Sequence, residues 1–339
     1  MTNVLLTCCA NGSVDGVIDH LHKLGVAVHI SDSADSSPYE NKVYYHTVPQ
    51  ISSPTYKSVM RKLCDTFDID IIIPSISEDA LFFSKHRKSF DAVSTVSSKF
   101  ATEMTCNKAM CYYFLNYYKF PVPQFCTVTD KKELDFAVHD LGMTCFKPQK
   151  HPNGSGKGFR IIDDVQAHKN MFTALTSEMY YVSYSSVVTA FEWRVEEEDP
   201  PELLMMEYLP GTEYSVYCFC HNGRAKYIVP IKRIETVNMC SSVARIDMNR
   251  DCINLARQIC ELYEFEYNIN IQLKRDKLGN LKVVEINPRI AGSVMLPVTA
   301  GVDMLSMTLL KAAGRKYFYN YSASNIIMKR HWGEVYDYV

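Results

Sequence analysis

The sequence predicts an α/β protein: a small doubly wound domain followed by strand-rich lobes with added helices. Three observations carry this. Over about the first hundred residues, apolar strand-like runs alternate with helical patterns, which implies a parallel sheet. From Cys106 onward the texture shifts to short strands separated by turn residues. Near the C-terminal end, Gln272-Leu-Lys-Arg-Asp-Lys-Leu-Gly-Asn-Leu-Lys-Val-Val-Glu285-Ile-Asn287-Pro288-Arg289 reads as two paired strands bearing oxygen-rich side chains. A length of 339 residues suits about two domains.

Taken in order, Asn3 to Thr7 is an apolar strand, followed by a helical pattern through Leu24 that Gly25 stops. Val26 to Ile30 is a second strand. A helix from Ser58 to Phe67 leads to the buried strand Ile69 to Pro74, and Val93 to Val96 is a short further strand. The first loop, Cys9-Ala-Asn-Gly12-Ser, lacks the three spaced glycines of a dinucleotide site, so this βαβ unit is structural. Glu78 lies just past a strand end, where ligand crevices form in parallel sheets. It is either a substrate contact or a solvated helix start.

Asn107 to Tyr118 is helical and ends at Phe120-Pro-Val-Pro123. A helix over Asp130 to Asp140 precedes the strand Thr144 to Pro148. A glycine-rich segment, Gly154 to Gly158, then leads into the strand Phe159 to Ile162. Strands follow at Leu203 to Tyr208, Glu213 to His221 and Ala225 to Ile231. A helix over Asn249 to Tyr263, the C-terminal hairpin and a helix from Met304 to Ala313 complete the reading.

Hydrophobic residues make up 47% and charged residues 22%, with a formal net charge of -2. That balance excludes a dominantly basic surface, so neither nucleic acid nor an anionic membrane is an expected partner. No apolar stretch approaches the roughly 20 residues of a membrane span. Met1-Thr-Asn-Val-Leu-Leu-Thr carries no basic leader, and the twelve cysteines include no Cys-x-x-Cys pair. The expectation is a cytoplasmic protein with free thiols, mostly small core residues.

Four segments carry chemistry. In the hairpin, a turn tightened over Lys277 to Asn280 would set Gln272 opposite Glu285. Alternation puts Glu285 and Asn287 on one face. A carboxylate and two amide oxygens suit a hard cation such as Mg²⁺, while a polar wet face would read the same way. The loop Gly154-Ser155-Gly156-Lys157-Gly158 can fold over phosphates, or can be a plain hairpin tip. It is not a P-loop, because no Ser or Thr follows the lysine and a strand comes next. Lys108 and Lys147 flank that loop and could neutralise phosphates. In Met205-Met-Glu207-Tyr-Leu209-Pro-Gly-Thr-Glu213, backbone near Glu207 and Leu209 could meet an adenine and Glu213 could accept from ribose. A buried strand and tight turn is the structural alternative.

The order of these elements resembles the ATP-grasp superfamily, nearest its carbamoyl-phosphate-synthase large-subunit-like and amino-acid-ligase-like members. The resemblance covers nearly the whole chain, and its most specific piece is Glu285-Ile-Asn287-Pro-Arg289 with Gln272 upstream. It implies a Rossmann-like pre-ATP-grasp domain over residues 1–100 and an ATP-grasp domain over 101–339. The latter would comprise a small lobe at about 125–208 and a metal-binding lobe at about 209–339. By resemblance, ATP is bound by Lys108, Lys147, Ser155, Gly156, Lys157, Glu207, Leu209 and Glu213. Gln272, Glu285 and Asn287 hold Mg²⁺, or Mn²⁺ in its place, and Arg289 serves catalysis.

The implied activity is ATP-dependent phosphorylation of a small-molecule or amino-acid carboxylate to an acyl phosphate, then coupling to an amine. The partners are those small molecules, with a homodimer compatible. Alternative readings are a non-catalytic nucleotide-binding regulatory module and a phosphotransferase without ligation. Lys232, Arg233 and Arg245 are candidate phosphate or carboxylate contacts. Near them Cys240 and Ser241 replace the pattern of carbamoyl phosphate synthase, which argues against that reaction.

Overall fold

The computed structural model describes residues 1–9, 14–149, 158–170, 180–196, 202–237, 240–317 and 322–331. Three sheets follow one another along the chain. The first is built from β1 (Asn3–Thr7), β2 (Ala27–Asp32), β3 (Tyr44–Thr47), β4 (Ile71–Pro74) and β5 (Val93–Ser94), with α1 (Asp15–Lys23), α2 (Tyr56–Thr66) and α3 (Ser77–His86) between them. Its order is β3-β2-β1-β4-β5, and all pairings are parallel. The α/β expectation for this region therefore holds. Gly25 ends α1 at φ +74°, a conformation that costs a glycine little. The strand β3 has no counterpart in the sequence expectations, while α3 begins at Ser77, beside the helix start offered at Glu78.

Helices α4 (Lys99–Cys106) and α5 (Lys108–Tyr117) lead to the second sheet. It contains β6 (Phe125–Val128), β7 (Thr144–Pro148), β8 (Arg160–Ile162), β9 (Tyr181–Val182) and β10 (Leu203–Glu207), in the order β6-β10-β7-β8-β9. Helices α6 (Lys131–Leu141), α7 (Asp164–Asn170) and α8 (Tyr184–Glu196) accompany it. Asp130 caps α6 by accepting from the amide of Glu133 at 2.8 Å, and the Glu133 carboxylate returns to the amide of Thr129 at 2.7 Å.

The third sheet is antiparallel, ordered β15-β14-β11-β12-β13-β16. Its strands are β11 (Glu213–His221), β12 (Arg224–Val237), β13 (Cys240–Ile246), β14 (Tyr267–Arg275), β15 (Leu281–Asn287) and β16 (Ile327–Lys329). Helix α9 (Arg250–Leu262) covers one face, while α10 (Met295–Thr299) and α11 (Met304–Ala312) follow β15. Nine of the twelve cysteines are buried and all are free thiols, as small core residues should be. Among the described residues no helix is long and apolar enough to cross a membrane.

Strand alternation divides the third sheet. On β11, Val216, Cys218 and Cys220 face one core, which also takes Ile269, Ile271 and Leu273 from β14 and Ile259 from α9. Tyr217 and Phe219 face the other core, where they join Val4, Leu6, Val28 and Ile30 of the first sheet. Helices α1, α10 and α11 contribute to the same core, and His20 of α1 bonds Asp303 at the start of α11 at 2.9 Å. Glu213 and Ser215 share the face of Tyr217 and Phe219 but lie further along the strand, where side chains turn polar. That polar stretch is where the candidate site forms.

Candidate functional site

On β14 the residues Asn268, Asn270 and Gln272 alternate with the core residues Ile269, Ile271 and Leu273. The Asn270 amide donates to Ser215 Oγ at 2.7 Å, tying β14 to β11 on the polar face. Gln272 pairs with Glu285 and Asn270 with Asn287, so two amides, a carboxylate and a third amide form a compact patch. The pairing of Gln272 with Glu285 is as expected, but its cause is different. The strands close at Arg275 and Leu281 over the five-residue loop Asp276 to Asn280, not over a turn tightened to Lys277–Asn280. The Asp276 carboxylate accepts the amides of Leu278 and Asn280, both at 2.9 Å, and Gly279 takes φ +86°. That wider loop would leave Gln272 opposite Val284. A β-bulge shifts the register between Gln272 and Leu273, and Val284 is the extra residue. The bulge lets both Val283 and Ile286 enter the core while Glu285 and Asn287 face the site.

The freed carbonyl of Val284 has its own use. It accepts from Tyr112 Oη at 2.9 Å and from Lys147 Nζ at 2.9 Å. Lys147 is buried, with its ammonium 5.3 Å from the centre of the Tyr112 ring. Burial lowers its pKa; Glu285 opposes the shift and the charge of Lys108 reinforces it. Lys108 opens α5, which Asn107 caps by accepting the Met110 amide at 3.0 Å. Its ammonium is 3.9 Å from Glu285 Oε1. The two lysines from separate elements therefore converge on β15 beside Glu285.

Asn287 Oδ1 accepts from Arg289 Nη2 at 3.1 Å and from Ser77 Oγ at 3.3 Å. Arg289 also donates to the carbonyl of Ile290 at 2.9 Å, while its Nε and the Asn287 Nδ2 are buried without a partner among the described residues. Ser77 is the first residue of α3, so the first domain reaches the hairpin here, and Glu78 beside it is half-buried. The donor set fits a hard divalent cation: one carboxylate, ion-paired with Lys108 at 3.9 Å, and two amide oxygens. No cluster of three His, Cys, Asp or Glu competes for a metal among the described residues.

Glu207 ends β10. Its carboxylate accepts the amide of Gln124 at 3.0 Å, and its own amide donates to the Gln124 carbonyl at 3.0 Å. Leu209 is buried. The chain then turns at Gly211, whose amide donates to the Arg275 carbonyl at 3.0 Å. A Cβ here would lie 2.7 Å from that oxygen, so the approach requires glycine. This turn delivers Glu213 to the start of the central strand β11, where it forms an ion pair with Arg233. Lys232 is half-buried and pairs across the ladder with Tyr214 and Arg245. Ser155, Gly156 and Lys157 lie outside the described residues.

The structure thus gathers Lys108, Lys147, Gln272, Glu285, Asn287 and Arg289. It sets Glu213 with Arg233 on the same sheet, where Glu213 pairs with Lys274 of β14. Tyr112, Ser77, Ser215 and the Val284 carbonyl were missed. Only the alternating polar residues Asn268, Asn270 and Gln272 gave a readable signal, a strand face too polar for a core.

The sequence family described as ATP-grasp in the biosynthetic pathway with Ter operon matches residues 199–330. Solved structures cover the rest. N5-carboxyaminoimidazole synthetase from Staphylococcus aureus, complexed with ADP, superposes with a TM-score of 0.70 at 15% identity over 96% of this chain and 79% of its own. The fold is that of the ATP-grasp proteins. A second similar structure is the biotin carboxylase domain dimer of Hydrogenobacter thermophilus 2-oxoglutarate carboxylase, in complex with MgADP, ADP and bicarbonate. It gives a TM-score of 0.70 at 16% identity over 94% of this chain and 71% of its own. L-amino acid ligase from Bacillus licheniformis gives 0.64 at 15% over 92% and 74%. No curated protein sequence matches the chain.

Proposed function

We propose that this protein is an ATP-dependent ligase. It phosphorylates a small-molecule or amino-acid carboxylate to an acyl phosphate and couples it to an amine, releasing ADP and phosphate. The observation that carries the reading is the convergence of Lys108, Lys147 and Glu285 on one bulged strand, with Asn287 and Arg289 directly beyond. The similar structures support it, since they include an amino acid ligase and ADP-bound synthetase and carboxylase structures.

In this reading Lys108 and Lys147 neutralise the phosphates, and Ser155, Gly156 and Lys157 close over them. Backbone near Glu207 and Leu209 meets the adenine, because the Glu207 carboxylate is already committed to Gln124. Glu213 receives the ribose. Gln272, Glu285 and Asn287 would hold Mg²⁺, with Mn²⁺ a substitute. Bound there, the ion would neutralise phosphate oxygens and align them. Arg289 stabilises charge on the transferring phosphoryl and the acyl phosphate, a task of positioning and electrostatics that needs no nucleophilic side chain. In the same reading Glu78, next to Ser77 in sequence, would contact the acceptor.

The division proposed is 1–100 for the leading domain and 101–339 for the ATP-grasp domain, with lobes at about 125–208 and 209–339. A cytoplasmic location and a homodimer accord with the same reading. The test is a panel of carboxylates and amines assayed for ADP and phosphate release, with hydroxylamine trapping of the acyl phosphate. Turnover should require both substrates and Mg²⁺. Tight Mg-ATP binding with no turnover on any pair would overturn the ligase assignment.

A further inference from the structure

We infer that Arg233 is a positioning residue for the sugar of the nucleotide, not a contact to phosphate or carboxylate. The inference rests on the ATP reading above and deepens it at Glu213. Arg233 follows Lys232, which pairs with Tyr214, so Arg233 and Glu213 stand across the β11–β12 ladder. Arg233 Nη1 binds Glu213 Oε1, and Arg233 Nε donates to Ser241 Oγ at 3.0 Å. The guanidinium is thereby fixed to strands on both sides of its own. Its side chain is 6% exposed, against 23% for Glu213. A cation held this way is poorly placed to swing toward a phosphate, but it is well placed to orient a carboxylate.

Orientation is the consequence. With Oε1 committed to the guanidinium, Oε2 has no hydrogen-bond partner among the described residues and belongs to the more exposed member of the pair. A fixed carboxylate oxygen at the start of a central strand accepts from a hydroxyl pair such as the ribose 2′ and 3′ groups. A site built to bind hydroxyls discriminates against a sugar lacking them, because its acceptor is left unpaired. Arg233 and Ser241 therefore set a preference for a ribose over a deoxygenated sugar.

The experiment is calorimetric titration of the full chain with Mg-ATP, Mg-2′,3′-dideoxy-ATP and Mg-tripolyphosphate. The wild type should prefer ATP over the dideoxy nucleotide by about tenfold or more, the scale of a charge-assisted hydrogen bond. Arg233→Met and Glu213→Gln should each bring ATP down to the dideoxy level and leave tripolyphosphate unchanged. The double variant should lose no more than either single one. Arg233→Lys should recover part of the preference. If Arg233→Met does not fold, Ser241→Ala takes its place and should shrink the ATP-to-dideoxy ratio. The proposal fails if the Arg233 variant, or the Ser241 variant in its stead, keeps the wild-type ratio. It also fails if Arg233→Met weakens tripolyphosphate as much as ATP, which would make Arg233 a phosphate contact. A wild type that binds both nucleotides equally overturns this inference alone. A wild type that binds neither overturns the ATP reading and this inference with it.

Discussion

Lys147 donates to the carbonyl of Val284 across 137 positions of sequence, at 2.9 Å. Val284 is the bulged residue next to Glu285, so one local irregularity both turns the Glu285 carboxylate to the polar face and anchors Lys147. Removing the lysine should separate binding from stability. Lys147→Met keeps the Tyr112 bond to the same carbonyl, so the fold should lose at most about 1 kcal/mol. Mg-ATP affinity should fall by about tenfold or more. Titration calorimetry beside denaturant unfolding checks both halves.

The same lysine predicts a pH dependence. Burial lowers its pKa, so it loses its proton at a lower pH than an ordinary lysine. Mg-ATP affinity should begin to fall on the alkaline side before an exposed lysine would titrate, and Lys147→Arg should remove that early fall. Between the folded and unfolded pKa values the unfolded chain binds more protons, so stability should rise with pH across that window. Affinity and unfolding measured over the alkaline range should therefore move in opposite directions.

Arg289→Ala should leave Mg-ATP binding largely intact while kcat falls by about 100-fold, the usual scale for one preorganised charge-stabilising donor. Its contacts to Asn287 and Ile290 are short-range, so the hairpin should remain folded. Unchanged turnover would remove Arg289 from the chemistry.

Glu285→Gln should abolish the gain in ATP affinity that Mg²⁺ provides, while metal-free nucleotide still binds. The carboxylate is the only charged oxygen in the patch with Gln272 and Asn287. Titrations with and without the metal decide this. Equal metal dependence in variant and wild type would move the ion elsewhere.

His29 and His46 stack with ring centroids 5.2 Å apart and share a 2.9 Å hydrogen bond between β2 and β3. Burial, with a smaller push from His46, lowers His29 from 6.5 to about 4. The folded pKa is depressed, so the stabilisation is complete above pH 6.5 and is lost as pH falls toward 4. Acid should therefore cost up to about 3 kcal/mol of stability in this window. His29→Gln should flatten that limb of a urea-unfolding series.

Much of the site was legible because strand periodicity is local. Glu285 and Asn287 share a face by alternation alone, and the polar series Asn268, Asn270, Gln272 marks the same face of its neighbour. The route to the register was not legible. A bulge depends on which side chains the core accepts, and Val283 and Ile286 were both required inside. Ser77 on Asn287 and Tyr112 on Val284 connect residues 210 and 172 positions apart. No pattern in a single chain encodes such distances.

By itself, the sequence determined the parallel leading sheet, the hairpin that pairs Gln272 with Glu285 and the ATP-grasp resemblance. Each follows from apolar periodicity, turn residues and the succession of motifs. Only the tertiary structure decided that Glu213 faces Arg233, that Val284 is the extra residue, and that residues of the first and third sheets share one core with α1, α10 and α11. Those outcomes depend on long-range burial and on which polar atoms find partners once the cores have closed, quantities that no local window of residues contains.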